Sequence, residues 1–155
     1  MLLKFSLLRN SLEVFINAVL EYLYIDLLSP LWDQFFQIYS ELSDFDLLRK
    51  SLASLVSSIQ EGLFWDHHEV GLCFRKLAKD IRDLKQLLDV CNESVPDEVM
   101  LQLDQLQKQI YKDFGKLVTV FFIIVDTGKV KYASKLLLKL NFNDYFKQFI
   151  NDNYE

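Results

Sequence analysis

The residues able to do chemistry are few. Asp66, His67, His68, Glu69 and Cys73 form the one cluster of metal-ligating types. A structural zinc site takes four Cys or His ligands at set spacings. His68 and Cys73 are five positions apart, off the i, i+4 spacing of helical zinc pairs, and the second thiol, Cys91, is distant. The cluster therefore reads as the polar start of a helix after a loop. Cysteine catalysis needs a thiolate beside a His base. Cys73 lies between Leu72 and Phe74, and Cys91 closes an amphipathic segment. Both read as inert core or boundary thiols. No GxSxG, no GxGxxG and no GxxxxGKS or GxxxxGKT motif occurs, and four scattered Gly cannot build a phosphate-cradling loop. Asp80 and Asp83 read as part of a solvated charged face beside Arg82. The expectation is a non-enzymatic chain with no catalytic residue, no cofactor and no metal.

Composition narrows the class. The chain has 155 residues, 51% hydrophobic, with only 4 Gly and 2 Pro. That is too apolar for disorder and too poor in turn formers for a many-stranded β-fold. Few, long helices fit best. Net charge is −5 and no basic stripe appears, which argues against nucleic acid and against adhesion to anionic membrane. Two isolated Cys without a CxxC point to a reducing compartment. Lys4, Arg9 and Glu13 interrupt the apolar N-terminus, so no secretory signal is read there. The run from Leu117 to Val125 falls short of the about 20 residues that span a bilayer. A soluble intracellular protein without membrane insertion is expected.

Periodicity places the helices. The first covers about Leu3 to Ile25, with Phe5, Leu8, Leu12, Phe15, Ile16, Val19 and Leu23 on one face. Leu7, Val14, Ala18, Tyr22 and Ile25 mark a second apolar face. Asp26 to Ser29 read as a break, with Ser29 as N-cap and Pro30 in the first turn of a second helix, Leu31 to about Leu42. Its stripe would be Leu31, Phe35, Ile38, Tyr39 and Leu42. A third helix, about Phe45 to Leu63, would bury Leu48, Leu52, Leu55, Val56 and Ile59. Gly62 and Trp65 to His68 connect it to a fourth, about Glu69 to Val90. Ser94, Val95 and Pro96 start the fifth and longest, about Asp97 to Asp126, whose second half should be buried on all sides. Thr127 and Gly128 stop it, and a sixth runs from about Tyr132 to Leu140. The expected fold is an all-α bundle of five or six mostly antiparallel helices, one domain over residues 1–147, with a frayed tail at 148–155.

An ordered series of segments resembles one family. Asn17 to Trp32 is similar to the line "long helix, tyrosine pair, acidic-hydrophobic turn ending in Trp" of the gamma-tubulin complex components. Ser43, Asp44, Phe45 and Asp46 stand where that family has an Asp-x-Asp helix start. Leu136 to Asn143, followed by Tyr145, resembles its closing "Arg-Leu-Asp-Phe-Asn, then an aromatic" motif, with Lys139 and Asn141 replacing Arg and Asp. Ser94 to Pro96 and the long helix match its penultimate segment. The chain departs where the family usually carries a His in the third helix; Leu52 stands there.

The resemblance covers nearly the whole chain and the distal part of the family's C-terminal half. It implies a non-catalytic scaffold that binds gamma-tubulin and other gamma-tubulin complex components. The implied place is the cytoplasm, at a microtubule-organising centre such as a centrosome or spindle pole body. Asn141, Phe142, Asn143 and Tyr145 are its candidate partner-binding residues, and Trp32 reads as an anchoring core aromatic. The aromatic surplus, thirteen Phe, seven Tyr and two Trp, makes Leu7, Val14, Ala18 and Tyr22 a candidate partner-facing surface. The alternative is a self-contained helical adaptor that dimerises or docks on an unrelated helical protein.

Overall fold

A computed structural model of the chain describes residues 2–41, 44–90, 97–128 and 131–141. It is an all-α bundle: α1 Leu2–Glu21, α2 Ser29–Glu41, α3 Phe45–Gly62, α4 His68–Val90, α5 Asp97–Asp126 and α6 Ala133–Leu140. The segment 91–96, including Cys91, and the tail after Asn141 lie outside the described residues.

The core is built on α4 and α5. Val70, Cys73, Leu77 and Leu84 of α4 meet Leu103, Ile110, Phe114, Leu117 and Phe121 of α5 in one buried cluster. These recur at three- and four-residue intervals, so each helix turns one apolar stripe to the other. α1 lies across this pair. The Phe15 ring is 4.8 Å from Phe114 and 6.1 Å from Phe74. Leu8, Ser11, Leu12, Phe15, Ala18 and Tyr22 continue the buried face along α1. α6 closes the bundle with Ala133, Leu136, Leu137 and Leu140 buried against it. The second half of α5, expected to be buried all round, keeps Phe122 and Ile123 exposed on the side away from Phe121 and Ile124.

The break expected at Asp26 to Ser29 is absent. α1 passes into α2 through a π-helical segment, Tyr22–Leu28, and the whole runs as one helix. The Ser29 N–H donates to the Tyr24 carbonyl, five residues back. In an α-helix, the Pro30 ring would press on the carbonyl four residues earlier, and Pro lacks the N–H that would reach it. The wider π turn just before Pro30 accommodates both defects without ending the helix. It also shifts the phase. Tyr22 and Leu27, five apart, are both buried, whereas Tyr24 and Ile25 point outward. Joined in this way, Phe5–Ser40 is long and apolar enough, by length and composition, to cross a membrane, an 18-residue stretch of it reaching mean hydropathy 1.4. Its most buried side chains are core members here.

The π segment is where α3 crosses. Leu27 sits on Gly62, where a β-carbon would come within 3.0 Å of three Leu27 side-chain carbons. The Tyr22 hydroxyl donates to the Gly62 carbonyl at 2.6 Å, satisfying one of the carbonyls a helix C-terminus leaves open. α3 then stops in a Schellman motif. Trp65 N–H reaches the Gln60 carbonyl and Phe64 N–H the Glu61 carbonyl. Phe64 takes the left-handed position usually given to Gly, with φ +55°. Its ring compensates by burial, stacked on Tyr22 and edge-on to Phe121 at 4.9 Å. Lys139 of α6 ties both sides of the π turn, 3.1 Å from the Glu21 carboxylate and 3.3 Å from Asp26.

Substituting Gly62→Ala is expected to destabilise the fold by about 1–3 kcal/mol in denaturant unfolding through overpacking against Leu27. Leu27→Ala should cost less in that background than in the parent. Tyr22→Phe, which leaves the Gly62 carbonyl unpaired, should cost about 1–2 kcal/mol.

Candidate protein-interaction surface

Among the described residues the chemistry-bearing side chains lie apart. Among the described residues no group of three His, Cys, Asp or Glu is placed to hold a metal. His67 lies in the turn between α3 and α4, edge-on to Phe64, and His68 opens α4. Cys73 is buried, and burial, with the Asp113 carboxylate nearby, pushes its thiol pKa up. A thiol held protonated is a poor nucleophile.

An unusual polar feature lies inside the helix packing. Asp80, expected on a solvated face, is only 8% exposed and faces Asp113, 2% exposed, between α4 and α5. Gln109 Nε2 donates to Asp113 Oδ2 at 2.6 Å, and Lys116 Nζ stands 3.6 Å from Oδ1. Burial and then the Asp113 carboxylate push the Asp80 pKa up to about 6, and a hydrogen bond joins the two carboxyls. The α5 stripe carries the signal: Asp113 falls in phase with Ile110 and Leu117, so a carboxylate at that position must enter the core.

A carboxyl whose folded pKa lies above its unfolded value stabilises the fold below about pH 4. That stability is lost as pH rises through about 6. Asp80→Asn supplies a permanently neutral donor. It is therefore expected to raise the melting temperature at pH 7.5, by stabilisation on the order of 1–3 kcal/mol. The advantage over the parent should shrink towards pH 4 in parallel melts.

The outer surface is where the sequence reading needs most correction. α2 and α3 pack as a helical hairpin, and α3 buries only Leu55 and Gly62. Ile38, Tyr39, Leu52 and Val56, expected in the core, are exposed; Leu42 lies outside the described residues. Trp32, expected as a core anchor, is also exposed and stacks on Phe36 at 5.7 Å. The hairpin lies at the edge of the bundle, its helices packed on each other and on the π segment, so their remaining sides stay uncovered by the described residues. On one side a groove opens between Leu31, Gln34 and Phe35 of α2 and Ser51, Leu55 and Ser58 of α3. Trp32, Phe36, Tyr39, Leu52 and Val56 do not line it.

The four residues expected on one partner-facing side of α1 divide. Leu7 and Val14 are exposed; Ala18 and Tyr22 are buried in the core. The reason is helical phase. Each step of four from Val14 to Ala18 to Tyr22 advances about 40° towards the core stripe, so the edge of the buried face runs between Val14 and Ala18. Asn141 caps α6, its N–H on the Leu137 carbonyl. Phe142, Asn143 and Tyr145 lie outside the described residues.

The comparisons bear on the chain as a whole. No curated protein and no solved structure matches it. The family model described as gamma tubulin complex component C-terminal matches residues 2–146, which takes in every helix described above. Nearly the full length being matched, the chain belongs to the gamma-tubulin complex component C-terminal family.

Proposed function

We propose that this chain binds gamma-tubulin as a non-catalytic scaffold module of a microtubule-nucleating complex, in the cytoplasm at microtubule-organising centres. The observation that carries the reading is the family match over residues 2–146. Two structural features accord with it. Three titratable groups serve structure, Asp80 and Asp113 in packing and Lys139 as a latch. The surface instead offers large apolar side chains that a partner would cover, as protein-binding surfaces do.

The contact surface we assign has two parts. Leu7 and Val14 present an apolar strip on α1. The second part is the closing segment, Asn141 with Phe142, Asn143 and Tyr145. α6 packs along α1 and the π segment, with Lys139 on Glu21 and Asp26, so Asn141 ends beside the helix that carries the strip.

Purified chain mixed with gamma-tubulin is expected to co-elute in size-exclusion chromatography at micromolar concentration. Leu7→Asp with Val14→Asp should weaken that association at least tenfold while leaving the helical circular dichroism unchanged. Complete absence of co-elution by the parent chain would overturn the reading.

A further inference from the structure

The line on α1 that carries Leu7 and Val14 ends at α6. Leu7, Val14 and Glu21 recur every seven residues, so they fall within about 40° of one another around the helix. Leu7 and Val14 are exposed, and Lys139 of α6 stands 3.1 Å from the Glu21 carboxylate. Between Leu7 and Glu21 the neighbours on this side are Asn10, Ser11, Asn17 and Ala18, with no charge among them. α6 arrives there from the α2 end of the long helix. Tyr132, just before its first turn, lines the groove with Leu31 and Phe35 of α2, and further along Lys139 reaches Glu21 and Asp26. α6 therefore runs against the direction of α1. It closes at Asn141, and its axis points on towards Val14 and then Leu7.

The residues that follow in the sequence carry an apolar stripe of their own. Phe142, Tyr145, Phe146, Phe149 and Ile150 stand at i, i+3, i+4, i+7 and i+8, the spacing of one helical face. Asn143, Asp144, Lys147, Gln148 and Asn151 fill the other side. The pattern runs into 148–155, the stretch expected to fray. As a helix, 142–150 would be about 12 Å long, against about 10 Å from Val14 to Leu7. Tethering favours this occupant over a free one. A segment joined by so short a connection is present at an effective concentration on the order of millimolar, with which a second copy or another protein has to compete.

We propose that Phe142 to Ile150 forms a short amphipathic helix that folds back along α1 and covers Leu7 and Val14 in the free chain. Gamma-tubulin reaching that strip, as read above, then displaces the helix. The fold-back itself does not rest on that reading, and its tests contain no gamma-tubulin. In the full chain with Cys91→Ser, Val14→Cys paired with Phe149→Cys should close an intramolecular disulfide on mild oxidation, read by intact mass and non-reducing electrophoresis. Val14→Cys paired with Asn151→Cys, on the opposite side of the same helix, should close at least tenfold more slowly. Hydrogen exchange leaves Phe149 in place. In the parent chain the amides of 146–151 should exchange at least tenfold more slowly than in a Leu7→Asp, Val14→Asp chain of unchanged helical circular dichroism. Equal closure of the two Cys pairs would overturn the proposal, as would a disulfide formed chiefly between chains. So would exchange at 146–151 that is indifferent to the α1 substitutions.

Discussion

The fold turns on one crossing, where Tyr22 and Leu27 of the π segment meet Gly62 at the end of α3. Leu27 is fully buried in the place a β-carbon at position 62 would fill, and the Tyr22 hydroxyl holds the Gly62 carbonyl. A glycine is required there for approach rather than for backbone freedom. The π turn makes the crossing possible. It returns two residues five apart to the same side of the helix, so both can bear on one point of α3. Everything beyond depends on this joint. It sets where α2 leaves the bundle, where α3 ends, and how Phe64 is delivered between Tyr22 and Phe121.

Polar groups reinforce the same region and the main helix pair rather than forming a reactive site. Lys139 spans the π turn from Glu21 to Asp26. Burial opposes its charge, while hydrogen bonds to the two carboxylates raise its pKa, so it stays protonated and acts as a latch. The carboxyls of Asp80 and Asp113, by contrast, place like charges in the α4–α5 seam. Two buried carboxylates do not both ionise cheaply, so the seam favours Asp80 protonated and is weakened as pH rises through about 6.

The bundle and the hairpin have different characters. α1, α4, α5 and α6 share a core in which Phe15, Phe114 and Phe121 are enclosed. The α2–α3 hairpin has a thin core and an aromatic exterior, with Trp32, Phe36, Tyr39 and Phe45 all exposed. For a family built to assemble, this division is physically coherent. The four-helix body encloses its aromatic side chains, and the thin layer leaves its own exposed. The aromatic surplus of the composition is therefore split between core and surface.

The helical class, the limits of α3, α4 and α5, and the lack of enzyme motifs were legible in the sequence, because they rest on local periodicity and on residue types. The family was legible too, from Asn17–Trp32 and Leu136–Asn143. Burial was less so. Ile38, Leu52 and Val56 have core chemistry but lie on sides of the hairpin left exposed, and hydropathy cannot count neighbours. Ser29 with Pro30 has the local signature of a helix start, yet the chain stays helical because the π turn relieves Pro30 and the Gly62 contact rewards continuity. Asp80 shows the same limit, since its charge suggested solvent while its phase put it opposite Asp113. The sequence by itself determined which segments are helical and that they carry more apolar surface than one stripe each. Only the tertiary structure decided which of those stripes are covered, because coverage depends on which helices lie alongside one another.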